Sequence, residues 1–209
     1  MKANIKEFIN TIPKDVTIVC ASKYGTSEDI VYLFNNGITN FGENKVDQFL
    51  LKYEALKSYP ITWHFIGHLQ RNKAKKIINK INYLHSLDSL ELARIIDKER
   101  TTPLNTFIEV SINLEENKNG VDFHNIDEFI ENILPLKNIH LVGLMMMGTK
   151  SSSKEELINQ FQKLKDLKIY LEEKYHISLP YLSMGMSDDY LEAISVGATH
   201  IRLGRILFN

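Results

Sequence analysis

Cysteine is nearly absent from this sequence. Cys20 is the only one in 209 residues, so no disulfide can close within the chain and no cysteine pair is available for a redox or zinc motif. A reducing compartment, the cytoplasm, is the expectation. No apolar run approaches the roughly 20 residues that a bilayer crossing needs. An excess of one charge is missing too. Lys+Arg 25 against Asp+Glu 26 gives a formal net charge of -1, and the lysines are interspersed with acids, so no basic stripe argues for nucleic acid. The run at 71–76 reads as a solvated helix face. The 5 prolines and 10 glycines do not gather into a linker, which leaves one domain over 1–209 as the expectation. Residues 1–14 place Ile5, Phe8, Ile9 and Ile12 at helical spacing, without the apolar stretch or cleavage site of a signal peptide.

With hydrophobics at 44% the chain can bury a full core. Strand and helix patterns alternate through it. Strands are predicted at 16–23, 38–41, 63–66, 83–86, 107–112, 140–147, 181–184 and 200–203, and helices at 27–36, 43–58, 72–80, 89–100, 126–134, 151–175 and 188–196. A polar loop through Gly120 connects the fifth strand to its helix. Eight strands in alternation with helices predict an α/β fold, a single closed (β/α)8 TIM-type barrel with an N-terminal helix, although a doubly wound sheet shares the pattern. The chain ends at Asn209, so an eighth helix after the last strand is expected to be missing, and the N-terminal helix is the candidate to cover that face.

Lys23 ends the apolar run Val16-Thr17-Ile18-Val19-Cys20-Ala21-Ser22. A lysine delivered by a buried strand to the edge of a core loses its charge more readily, and the neutral amine attacks aldehydes to form a Schiff base. The plainer reading is a lysine snorkelling into water. Ser183-Met184-Gly185-Met186-Ser187 follows the seventh strand, and Arg202-Leu203-Gly204-Arg205 closes the eighth. Loops after those two strands form the usual phosphate site of the barrel, here with the Ser187 hydroxyl as donor and Gly204 allowing close backbone approach. Ser187 as a helix cap and Gly204 as a simple turn compete with that reading. A lysine with a phosphate cradle across the barrel mouth points to an aldehyde that carries a phosphate, and pyridoxal phosphate (PLP) fits. Arg202 lies in the strand two residues before Gly204, placed to face a pyridine nitrogen. An arginine there keeps that nitrogen unprotonated and makes the cofactor a weak electron sink.

The motifs Ser22-Lys23, Phe41-Gly42-Glu43-Asn44, Trp63-His64-Phe65-Ile66-Gly67-His68-Leu69-Gln70 with Asn72-Lys73, His85-Ser86-Leu87-Asp88-Ser89, Gly143-Leu144-Met145 and the Ser183 to Ser187 block together resemble the pyridoxal phosphate homeostasis protein family, single-domain relatives of the alanine racemase N-terminal barrel. The resemblance implies that Lys23 is the Schiff-base lysine and that Asn44 lies beside the ring. It puts Ser187, Gly204 and Arg205 on the phosphate and Arg202 on the pyridine nitrogen, with Ser183 and Met145 lining the pocket. It also implies a cytoplasmic, monomeric PLP carrier that holds the cofactor as a lysine aldimine and delivers it to PLP-dependent apoenzymes, with no established catalytic activity. Arg205 departs from the Ser or Thr usual after the Arg-x-Gly turn, and its guanidinium is expected to reach the phosphate instead. Ser111 replaces a common Asn. An amino acid racemase is the alternative, although it would need a second base from a further domain. A cofactor-free Schiff-base aldolase is a third possibility. His64, His68 and His85 lack a recognised zinc spacing, so no metal is expected.

Overall fold

The computed structural model describes residues 4–112 and 119–208. Part of the polar loop expected through Gly120 therefore lies outside the described residues. Helix α1 (Ile5–Asn10) precedes β1 (Thr17–Ala21), a 3-10 turn (Ser22–Tyr24) and α2 (Ser27–Asn35). Next come β2 (Asn40–Glu43), α3 (Val46–Ala55), β3 (Thr62–Phe65), α4 (Arg71–Ile77), β4 (Tyr83–Leu87) and α5 (Leu90–Glu99). The second half runs β5 (Leu104–Ser111), β6 (Val121–Asp122), α6 (Ile126–Ile133), β7 (Ile139–Met145), α7 (Lys154–Tyr175), β8 (Tyr181–Ser183), α8 (Tyr190–Val196), β9 (His200–Leu203) and α9 (Arg205–Phe208).

All strand pairings are parallel. The order β4-β3-β2-β1-β9-β8-β7-β5-β6 carries the additional pairing β4–β5, so every strand except β6 belongs to one closed ring. The (β/α)8 barrel is thus the observed fold. Its departures from expectation are local. The first strand stops at Ala21, because Ser22 turns into the 3-10 segment that bears Lys23. Glu43 ends β2 instead of opening a helix. The two-residue β6 pairs only with β5, and one turn of helix, α9, follows β9. Ile5 and Phe8 of α1 are buried, and Phe8 meets Tyr190 of α8 edge to ring at 6.2 Å.

Capping explains where the helices start. Thr26 and Ser153 each accept the backbone N–H three residues on, and Asp29 and Glu156 reach back to the cap amides, forming two capping boxes. Among the described residues no helix is long and apolar enough to cross a membrane.

Rings fill the barrel interior. His64 stacks on Tyr83 at 4.7 Å, His85 stacks on Phe107 at 4.3 Å, and Tyr181 meets His200 at 4.9 Å. Gly143 on β7 makes room for them. A methyl there would fall on the backbone carbonyl of Tyr181 and within 3.2 Å of the Phe107 ring. A carbonyl in a parallel ladder has nowhere to move. Gly143→Ala should therefore cost about 1–3 kcal/mol, the range for overpacked cores, read as a lower urea midpoint with an unchanged slope. A native midpoint would show that the ladder yields.

Candidate functional site

Closure of the barrel brings the two ends of the chain together. β1 pairs with β9 in the register Val19↔Arg202 and Cys20↔Leu203, so the Lys23 turn and Gly204 sit on neighbouring strands, not across the mouth as expected. Tyr24 lies against Gly204, where a methyl would come within 2.9 Å of its ring. The Lys23 Nζ is 4.8 Å from the Tyr24 ring centroid. Lys23 is exposed, which corrects the expectation of a desolvated lysine: the side chain leaves the barrel wall on the turn.

Beside Tyr24, the backbone N–H groups of Gly204 and Ile206 both donate to the Ser187 hydroxyl, at 3.2 and 3.4 Å. Two backbone amides aimed at one oxygen form the kind of concavity that can accept an anion. Ser187 and Gly204 meet here as expected. Ile206 was not foreseen, since nothing in its type marks an amide donor. Arg205 does not point into the cradle. Its guanidinium pairs with Asp188 at the surface, and its side chain is 56% exposed.

Arg202 enters the barrel and is 4% exposed. Its Nη1 donates to Ser183 Oγ (2.7 Å) and its Nη2 to the Met146 carbonyl (2.8 Å). Burial lowers its pKa to about 10. The contact with Ser183 continues downward: Ser183 Oγ to His85 Nδ1 (2.8 Å), His85 Nε2 to His64 Nδ1 (2.8 Å), and His64 Nε2 to Asn40 Oδ1 (3.0 Å). The end groups assign the protons. Asn40 Oδ1 only accepts, so His64 carries hydrogen on Nε2 and accepts at Nδ1. His85 then donates from Nε2 and accepts at Nδ1 from the Ser183 hydroxyl, whose oxygen accepts from Arg202. Donation runs one way from Arg202 to Asn40, with both imidazoles neutral. Burial holds both pKa values well below 6.5, and the neighbouring His200 at about 4. His64 and His85 were expected as packed or hydrogen-bonded groups. The linear relay was not legible.

Met145 is buried against Phe107 and Val142 and lies in register with Ser183 and Glu109. Asn44 follows β2, its backbone packed against Gly67. Glu109 was not singled out in the sequence. Burial, with the Asp88 carboxylate behind it, pushes its pKa up to about 7. His68 bonds Asp88 at 2.8 Å, and both line an open cleft of about 670 Å³ with Arg71, Asn72 and Gly120. That cleft lies over the ends of β3, β4 and β5, away from the Lys23 turn on β1. Among the described residues no group of three or more acids, histidines or cysteines could hold a metal ion.

The neutral imidazoles fix how stability depends on pH. Three depressed histidines mean that the unfolded chain binds more protons below pH 6.5, so their contribution is complete above 6.5 and is lost as the pH falls. Glu109 acts oppositely, because its folded carboxyl holds a proton up to about pH 7 that an unfolded one releases near 4.3. Three groups against one leave the unfolded chain with the larger proton uptake, so stability should fall as the pH drops from 6.5 toward 4.5, by at most about 3 kcal/mol per pH unit. Guanidinium unfolding across that range tests this, and a flat or rising profile would contradict neutral histidines.

The model of the family described as alanine racemase, N-terminal domain, matches residues 1–209. The pyridoxal phosphate homeostasis protein of Aquifex aeolicus is 42% identical over 191 residues, covering 90% of this chain and 84% of that protein. Its namesake from Synechocystis sp. is 38% identical over 207 residues, covering 97% and 94%. Among solved structures, PipY of Synechococcus elongatus with PLP bound superposes with a TM-score of 0.91 at 28% identity, covering 98% of this chain and 100% of that one. Alanine racemase from Corynebacterium glutamicum shares the fold, with a TM-score of 0.78 at 12% identity, and this chain covers 59% of it. The chain belongs to the alanine racemase N-terminal domain family, among the relatives called pyridoxal phosphate homeostasis proteins.

Proposed function

We propose that this protein binds pyridoxal phosphate covalently through Lys23 and serves PLP homeostasis in the cytoplasm, as a monomer that holds the cofactor and passes it to PLP-dependent apoenzymes. The observation that carries the reading is the adjacency of an exposed amine and an anion cradle: Lys23 on the turn after β1, and the Gly204 and Ile206 amides, just past the neighbouring strand β9, gathered on Ser187 from the loop after β8. The names of the relatives and the PLP-bound PipY structure support it.

The donor set fits the cofactor. Lys23 supplies the amine that condenses with its aldehyde, releasing one water. Ser187 and the amides at Gly204 and Ile206 take the phosphate, with Arg205 contributing its place in the turn while its guanidinium stays on Asp188. Of the five N–H donors of Arg202, two are assigned to Ser183 and Met146, leaving donors free to face the pyridine nitrogen. Asn44 and Met145 flank the ring. When bound, the cofactor supplies an electron sink, and an arginine at the ring nitrogen keeps that sink weak. A weak sink favours holding the cofactor over turning over an amino acid.

Borohydride reduction of the PLP-loaded protein followed by peptide mapping should place the modification on Lys23, and Lys23→Ala should lose the visible absorption band. A label on Lys45 or Lys52 would refute the assignment. Ser187→Ala should weaken PLP binding about tenfold or more, as expected when a hydrogen bond to a charged group is removed. Arg205→Ala should change it less than about threefold. Equal losses in both variants would return the Arg205 guanidinium to the phosphate. Racemisation of single-enantiomer alanine should stay far below ordinary turnover of about 1 per second, followed by optical activity.

A further inference from the structure

Behind the Lys23 turn lies a buried ion pair for which PLP binding gives no direct use. Lys52, on the inward stripe of α3 with Val46 and Phe49, is buried, and Glu43 at the end of β2 is fully buried. Lys52 Nζ donates to Glu43 Oε1 at 2.6 Å and to the Ser22 carbonyl at 2.7 Å. The Ser22 hydroxyl donates to the same carboxylate oxygen at 2.8 Å. The second oxygen, Glu43 Oε2, is buried without a hydrogen-bond partner among the described residues. The neighbouring Cys20 is fully buried.

This is a poor way to gain stability. Taking two charges out of water costs about what their attraction returns, and apolar replacements of such pairs are often neutral or stabilising. An orphaned carboxylate oxygen adds to the cost. The contacts converge instead on one residue. The hydroxyl and the carbonyl of Ser22 are both engaged: the hydroxyl by Glu43, and the carbonyl by Lys52 and by the Gly25 N–H at 3.0 Å, the bond that closes the 3-10 turn. On the far side of Lys23, Tyr24 is packed on Gly204. Lys23 is therefore an exposed side chain on a backbone held from both sides.

We propose that Glu43 and Lys52 are positioning residues for Lys23, acting through Ser22 to fix the turn so that the Lys23 amine meets the aldehyde of a phosphate seated in the adjacent cradle. The inference rests on the reading of Lys23 as the covalent attachment point. Holding the amine at attack geometry in advance removes most of the orientational cost of the reaction. A loosened turn leaves the phosphate contacts intact while slowing bond formation and weakening retention.

The test uses the full chain with PLP as probe. Glu43→Gln/Lys52→Met replaces the charged pair by a neutral one of similar shape, and Lys52→Arg keeps a cation. Growth of the absorption band after mixing gives the rate of bond formation, equilibrium titration gives affinity, and unfolding of the cofactor-free protein reports structure. The double variant should unfold near the native midpoint, yet form the bond at least tenfold more slowly and retain PLP at least tenfold more weakly. Lys52→Arg should return both values to within about threefold of native. Ser22→Ala, a smaller change that removes only the hydroxyl, should shift rate and affinity in the same direction and covers the case of a double variant that does not fold. Native rate and affinity in a folded double variant, or in Ser22→Ala should the double not fold, would overturn the proposal. Borohydride mapping of native protein separates the two claims: a label away from Lys23 sinks the attachment reading, whereas a label on Lys23 with unchanged variant kinetics sinks the positioning role alone.

Discussion

The pairing of the first strand with the last is the constraint from which the rest follows. A parallel sheet eight strands round has no free edge only if β1 finds β9, and the register Cys20↔Leu203 determines which residues become neighbours at the mouth. Everything C-terminal to that register falls into place: Ser22 turns, Lys23 projects, Tyr24 covers Gly204, and the amides beyond Gly204 gather on Ser187. Residues separated by nearly the whole chain thus form one site, which any slip of register would dismantle.

Closure also creates an interior that must satisfy its own polar groups. Water is replaced there by stacked rings and by a single file of hydrogen bonds from Arg202 to Asn40. A guanidinium inside a barrel is tolerable because Ser183 and the Met146 carbonyl accept from it, and the Ser183 hydroxyl donates on to His85. The buried pair under the Lys23 turn follows a different rule. Among the described residues it leaves one carboxylate oxygen unpaired, as sites do that hold geometry at some cost in stability.

The fold was legible because its signals are local and repeated. Apolar strands alternated with amphipathic helices, and the serines at 151–153 before Glu155 and Glu156 marked the start of a long helix by a cap that needs no tertiary knowledge. Strand ends were less legible, because Ala21 and Glu43 stop their strands for reasons held elsewhere in space: Lys52 grips the Ser22 carbonyl, and Glu43 answers it. One clue was present. Lys52 occupies a helical position where the 46, 49 and 56 spacing calls for an apolar residue, and a charge on such a stripe signals a buried partner. The Asp188 partner of Arg205 could not be read, since Asp188 caps nothing in sequence and meets the arginine only after the strands pair. His64 and His85 likewise acquire direction only from Asn40 and Arg202 at either end of the file.

That file has a polarity with a further meaning. A chain of hydrogen bonds conducts protons only if every link can turn round, and a guanidinium cannot accept. With Arg202 at its head, the file is a rectifier with no current: a proton arriving at the Asn40 end has nowhere to go, and none can leave from the top without stripping an arginine. This file therefore carries no proton between the floor of the barrel and its mouth.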